Sequence, residues 1–200
     1  MDLDFNDIQS RIARINASIN AMIDNDVKKH TNIEIVETDN GKGVSLTFGK
    51  DDQPTVENKI VMILYNLATL KDNLKACLER NGKSGQIVED ELKNSLHMQV
   101  VTDLANQYNH SVPLTWKRHS GKNLLIKNMR QDLALDGVAG SSTEITIGED
   151  GHIISYGTPP YILISADIYD DQGTLLFNLN TLIETCLSKY ENIARTNNCI

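Results

Sequence analysis

Between Pro54 and Arg80 the apolar residues Ile60, Ile63, Leu64, Leu67, Leu70, Leu74 and Leu78 recur at steps of three and four. That spacing winds into a long helix with a wide apolar face, which other elements must cover. Pro54-Thr55 suits the helix start and Asn81-Gly82 suits its end. Any fold open to this chain is built around that helix.

Three further segments carry helical stripes. Ile8, Ile12, Ile15, Ile19 and Ile23 predict a first helix over Asn6–Lys28, capped by Asp4 or Asn6 and closed by Lys28-Lys29-His30. After a break at Ser84-Gly85, Leu92, Leu96, Val100, Val101 and Leu104 predict a helix over Ile87–Asn109. The short connection makes it an antiparallel partner of the 54–80 helix. A final helix over Leu179–Thr196 carries Leu182, Ile183, Cys186, Leu187, Tyr190 and Ile193, and is expected to pack back on the rest.

Strand patterns fill the remainder. Ile33 and Ile35, then Val44, Leu46 and Phe48, alternate with polar residues around Asn40-Gly41, which reads as a hairpin over 32–48. Leu124-Leu125-Ile126 is a short apolar run. Glu144–Ile147 and His152–Tyr156 flank Glu149-Asp150-Gly151, and Tyr161–Ile168 and Thr174–Asn178 flank a second turn ending at Gly173. The fold class is α+β: an antiparallel helical hairpin and two further helices packed with an antiparallel sheet of six to eight strands. Residues 1–112 form a mainly helical half containing the 33–48 hairpin, and 113–200 a mainly β half with a C-terminal helix, in one compact unit. The early hairpin is expected to extend the later sheet.

The 200 residues carry a net charge of −8, which disfavours non-specific attraction to nucleic acid or an anionic membrane. No apolar run is long enough to span a bilayer, and the acidic start Met1–Phe5 does not read as a secretory signal. Cys77 and Cys186 fall on apolar helix faces and read as buried free thiols, with Cys199 beside the C-terminus able to oxidise. A cytoplasmic protein is expected.

The chemistry-bearing residues gather in two places. Asp103, Asn106 and His110 lie at i, i+3 and i+7 on one helix face, where a carboxylate and an amide can orient an imidazole for general acid–base work. The same residues also suit a helix end before Pro113. Next comes Trp116-Lys117-Arg118-His119-Ser120-Gly121-Lys122, which combines cations, an imidazole and an indole fit to hold a phosphate or stack a base. Lys127 and Arg130 add to its charge. This local basic segment makes RNA a candidate partner.

The run Asn106-Gln107-Tyr108-Asn109-His110 in a long helical hairpin resembles the HEPN superfamily of helical domains over residues 55–112. The family's ribonuclease motif is Arg-Asn-x-x-x-His. Aligned on His110, Asn106 matches its Asn, while Ala105 stands at the Arg position. The resemblance implies metal-independent RNA cleavage using His110, with the phosphate-binding cation missing. The chain is also similar to helix-plus-sheet bacterial proteins with an Asn-x-x-x-His helix end.

Other chemistries lack their signatures. No His-Glu-x-x-His, Walker A, Gly-x-Gly-x-x-Gly or Gly-x-Ser-x-Gly run occurs, so neither a metal nor a cofactor is expected. The reading that follows is a non-enzymatic interaction or regulatory module, of a bacterium or mobile element, that binds a protein partner or itself. The alternatives are a HEPN-like ribonuclease and a small-ligand sensor.

Overall fold

The computed structural model describes residues 7–39, 41–110, 119–135, 143–147 and 153–200. Five helices and eight strands follow in order: α1 (Ile8–Asn20), β1 (Ile23–Asp24), β2 (Thr31–Thr38), β3 (Gly41–Phe48), α2 (Gln53–Arg80), α3 (Gln86–Asn94), α4 (Leu96–His110), β4 (Leu124–Ala134), β5 (Thr143–Ile147), β6 (Ile153–Gly157), β7 (Tyr161–Asp170), β8 (Leu175–Asn178) and α5 (Leu179–Thr196). The α+β class is as read from the sequence.

Helix α2 is the axis of the core. The Asp52 side chain accepts the Thr55 N–H at 3.0 Å and Pro54 occupies the first turn. At its far end Gly82 turns left-handed (φ 69°), and the Lys83 N–H returns to the Leu78 carbonyl at 2.8 Å. This is the glycine-dependent closure expected of a helix C-terminus. Ile63, Leu64, Leu67, Leu70, Leu74 and Leu78 are fully buried, and α2 contacts α1, α4 and α5. Helix α5 joins this core to a four-stranded antiparallel sheet, packing on β7, whose inward Ile162, Ile164, Ala166 and Ile168 are buried.

In that sheet β7 lies between β4 on one side and β1 and β8 on the other. Two hairpins, β2–β3 and β5–β6, stand apart as separate two-stranded sheets. The expectation that the early hairpin extends the main sheet is thereby corrected.

Four boundaries also differ from the sequence reading. Helix α1 stops at Asn20, because the backbone after it is captured by the sheet edge: the Ile164 N–H donates to the Met22 carbonyl at 3.0 Å and Ile23 pairs with Leu163. Asp7, not Asp4 or Asn6, caps it through the Gln9 and Ser10 amides. The single helix expected over 87–109 is two, α3 and α4, broken at Ser95, which is extended, buried, and turns its hydroxyl to the Met98 amide. Strand β4 runs well beyond Ile126, with a bulge between Lys127 and Arg130 where Asn128 is left-handed (φ 52°).

Cys77 on α2 and Cys199 are joined as a disulfide across 122 residues, which corrects the reading of Cys77 as a free thiol. Asn81 holds the C-terminus there by donating its amide to the Asn198 carbonyl at 3.1 Å. Cys186 is free and buried as expected, and burial pushes its thiol up to about 12.

If α2 is the axis, Leu67→Ala lowers unfolding free energy by about 2–5 kcal/mol in urea titrations. Met62→Ala, on the exposed side of the same helix, changes it by less than about 0.5 kcal/mol.

Candidate functional site

The β2–β3 hairpin departs from the body at a polar root. After β1 the chain curls tightly: Asp24 Oδ1 accepts the Asp26 N–H at 2.9 Å, and the Asp26 carbonyl accepts the His30 N–H at 3.1 Å. This brings His30 Nδ1 to 2.6 Å from Asp24 Oδ2, with the Lys50 ammonium 3.6 Å from the same oxygen. Burial pushes the Asp24 carboxyl up, but the Asp26 amide, His30 and Lys50 outweigh it and hold the group below its ordinary value.

The other strand is clamped as well. The Gly49 N–H donates to the His30 carbonyl at 2.8 Å. Gln131 of β4 donates its side-chain amide to the Asp51 carbonyl at 2.9 Å and accepts the Asp51 N–H at 3.3 Å. Lys59 of α2 pairs with the Asp51 carboxylate. Gly49 is left-handed (φ 98°), and a Cβ there would overlap the Gln131 amide, so only glycine fits.

Above this root the hairpin has two unlike faces. The register Ile33↔Leu46 and Ile35↔Val44 puts these four side chains on one face, with Phe48 at the base. Ile33, Phe48 and Leu133 pack against a small cluster of Val27 and Ile162. Beyond it no described residue covers the same face: Ile35 is 74 % exposed, Val44 57 % and Leu46 39 %. The result is an arm held rigidly at its base and presenting an apolar stripe.

The residues singled out from the sequence are placed differently. Asp103 is 2 % exposed; its Oδ1 accepts the His119 N–H at 2.9 Å, and its Oδ2 accepts the Ser120 N–H at 2.8 Å and the Ser120 hydroxyl at 2.6 Å. Both oxygens thus hold the 119–120 turn against α4. Asn106 is half-buried and Ala105 faces the core. The His110 side chain and all of Trp116, Lys117 and Arg118 lie outside the described residues. The structure brings α4 and the turn at His119–Lys122 together, through Asp103.

The cations of that region that are described have partners. Lys122 lies 3.1 Å from buried Asp170, Arg130 bridges Asp132 and Asp167 at 2.7 and 3.2 Å, and Lys127 stands over the Tyr169 ring. Asp167 is held low chiefly by the Asn128 amide and Asp170 chiefly by the Thr174 N–H, each helped by its cation.

A cleft of about 300 Å³ opens between α1 and α2, lined by Ser18, Ala21, Thr55, Asn58, Lys59 and Met62. Its Lys59 is already engaged at the hairpin root. Among the described residues no group of three or more His, Cys, Asp or Glu side chains is placed to hold a metal ion.

Sequence reasoning missed the root. Its one local signal is Asp24-Asn25-Asp26, an Asx-turn sequence that returns the chain on itself. The pairing with Lys50 and the clamp by Gln131 depend on tertiary approach. Comparison of the chain with protein-family models, curated proteins and solved structures found no match.

A carboxylate whose native value is depressed adds stability above its unfolded value, and that contribution is lost as pH falls through the native one. Asp24→Asn should therefore be less stable than wild type at pH 7, by about 1–2 kcal/mol. The gap should close once the solution falls well below about pH 4, as followed by urea titrations across pH.

Proposed function

We propose that this chain is a protein-interaction module and that the β2–β3 arm is its docking element. The supporting observation is the continuous apolar face of Ile35, Val44 and Leu46, uncovered beyond a root that is locked by hydrogen bonds and ion pairs. Isolated two-stranded hairpins are marginal in water, so an arm of this length gains from a partner that covers it. Preorganisation at the root lowers the entropy lost when it docks. The proposed partner is another polypeptide; no helix among the described residues is long and apolar enough to cross a membrane. Cytoplasmic residence, expected from the sequence, is not part of this proposal, because the Cys77–Cys199 bond is of a kind that persists in oxidising compartments and is rare in the cytosol.

A photo-crosslinking residue at position 35 should give a discrete covalent adduct in cells. The same residue at position 175, an exposed leucine on β8, should not. Equal labelling at both positions, or none at 35, removes the proposal.

A second reading, RNA cleavage by His110 with Asn106, draws on one observation: Asp103 ties the His119–Lys122 turn to the helix that carries both residues. It requires that wild type cut RNA and that His110→Ala lose at least a hundredfold in rate while keeping its circular dichroism spectrum. Absence of cleavage by wild type on several RNAs ends this reading.

A further inference from the structure

We infer that the arm's partner is a second copy of this chain, joined edge to edge along β3. The inference rests on the docking role of the arm and adds the identity of its occupant. Each hairpin strand has an outer edge whose backbone groups can pair with another strand. The two edges differ in charge. Strand β2 carries Glu34 and Glu37 along its length, whereas β3 carries a single charge, Lys42, beside the turn and none from Gly43 to Phe48. Charged side chains on an edge strand are a common barrier to pairing, so β2 is guarded and β3 is open.

The sequence of β3 is also self-complementary. Two copies running antiparallel about a two-fold axis at Ser45 place Val44 opposite the partner's Leu46 and Gly43 opposite the partner's Thr47. Residues paired in this way keep the same face. The rows Ile35–Val44 and Ile33–Leu46 of one arm then continue into the other, giving one apolar face across four strands. The one charge of the strand, Lys42, falls opposite the partner's Phe48. The antiparallel direction also lays the tip of each arm beside the root of the other, where Phe48 and Ile33 already pack on Val27 and Ile162. Pairing through β2 about Ile35 does the reverse. It sets Ile33 opposite the partner's Glu37 and brings the two Glu34 side chains to diagonal positions on one face. Among the described residues, β4 meets β3 near its base, where Gly49 sits on Gln131 and where Phe48 and Leu133 share the Val27–Ile162 cluster.

Sedimentation equilibrium on the full chain tests this. Wild type should dimerise reversibly. Val44→Lys should weaken the dimer at least tenfold, with an unchanged circular dichroism spectrum because the side chain is exposed. Leu175→Lys should leave it intact. Ser45→Cys should form an intermolecular disulfide under a mild thiol oxidant such as diamide, as residues facing each other across the two-fold must; Thr38→Cys at the arm's tip should not. A monomer at every concentration, or a dimer that Val44→Lys leaves unchanged, overturns the inference. If such a monomer still gives a position-35 adduct with a different protein, the docking reading stands and only the second copy is lost. If position 35 gives no adduct either, both fall.

Discussion

Burial of α2 is the constraint on which the rest depends. A helix with seven fully buried Ile and Leu side chains along its length, Ile60 among them, has no solution except to be surrounded. Helix α1 covers one flank, α4 another, and α5 wedges between the helix and the sheet. The Cys77–Cys199 link and the Asn81 amide then fasten the end of the chain to the end of α2. With the core committed in this way, β7 becomes the central strand of the sheet, and its edge captures Ile23 and Asp24 from the segment that would otherwise prolong α1. That capture sets the position of Asp24, and through it the whole root of the arm.

The root links the fold to the proposed docking role. It is built from polar groups in close contact: Asp24 lies against His30 and Lys50, and Asp51 against Lys59 and Gln131. These contacts join β1, the hairpin, α2 and β4. A flexible arm would hide its apolar stripe against the nearest surface. A clamped arm keeps it outward and keeps the β3 edge in one orientation, which is what recognition by strand addition requires.

Where periodicity and turn chemistry are local, the sequence reading matches the structure. Helix α2, helix α5 and the 31–48 hairpin follow from spacing, from Asn40-Gly41 and from the proline and glycine at the ends of α2. The failures have physical causes. The isoleucine stripe runs on through Ile23 in helical register, so only competition from β7 ends α1 early. Ser95 looks like an ordinary helix residue until its hydroxyl turns to cap α4. Strand β4 is masked by Lys127, Asn128, Arg130 and Asp132, which sit at its bulge and solvent-facing positions. Asp103 is read from the sequence as a candidate catalytic residue. Its role, accepting two backbone amides from a turn sixteen and seventeen residues later, needs the tertiary fold to be seen. The arm's exposed face is legible as alternation, but alternation alone does not say that the face lacks a cover.

Hydrogen exchange of the backbone amides, followed as protein concentration is raised, tests the central claim most directly. An arm that docks through β3 shows rising protection of the Lys42–Thr47 amides with concentration, while the outer edge of β2 and the four-stranded sheet stay unchanged. Protection in the arm that does not vary with concentration, or that rises first elsewhere in the chain, contradicts it.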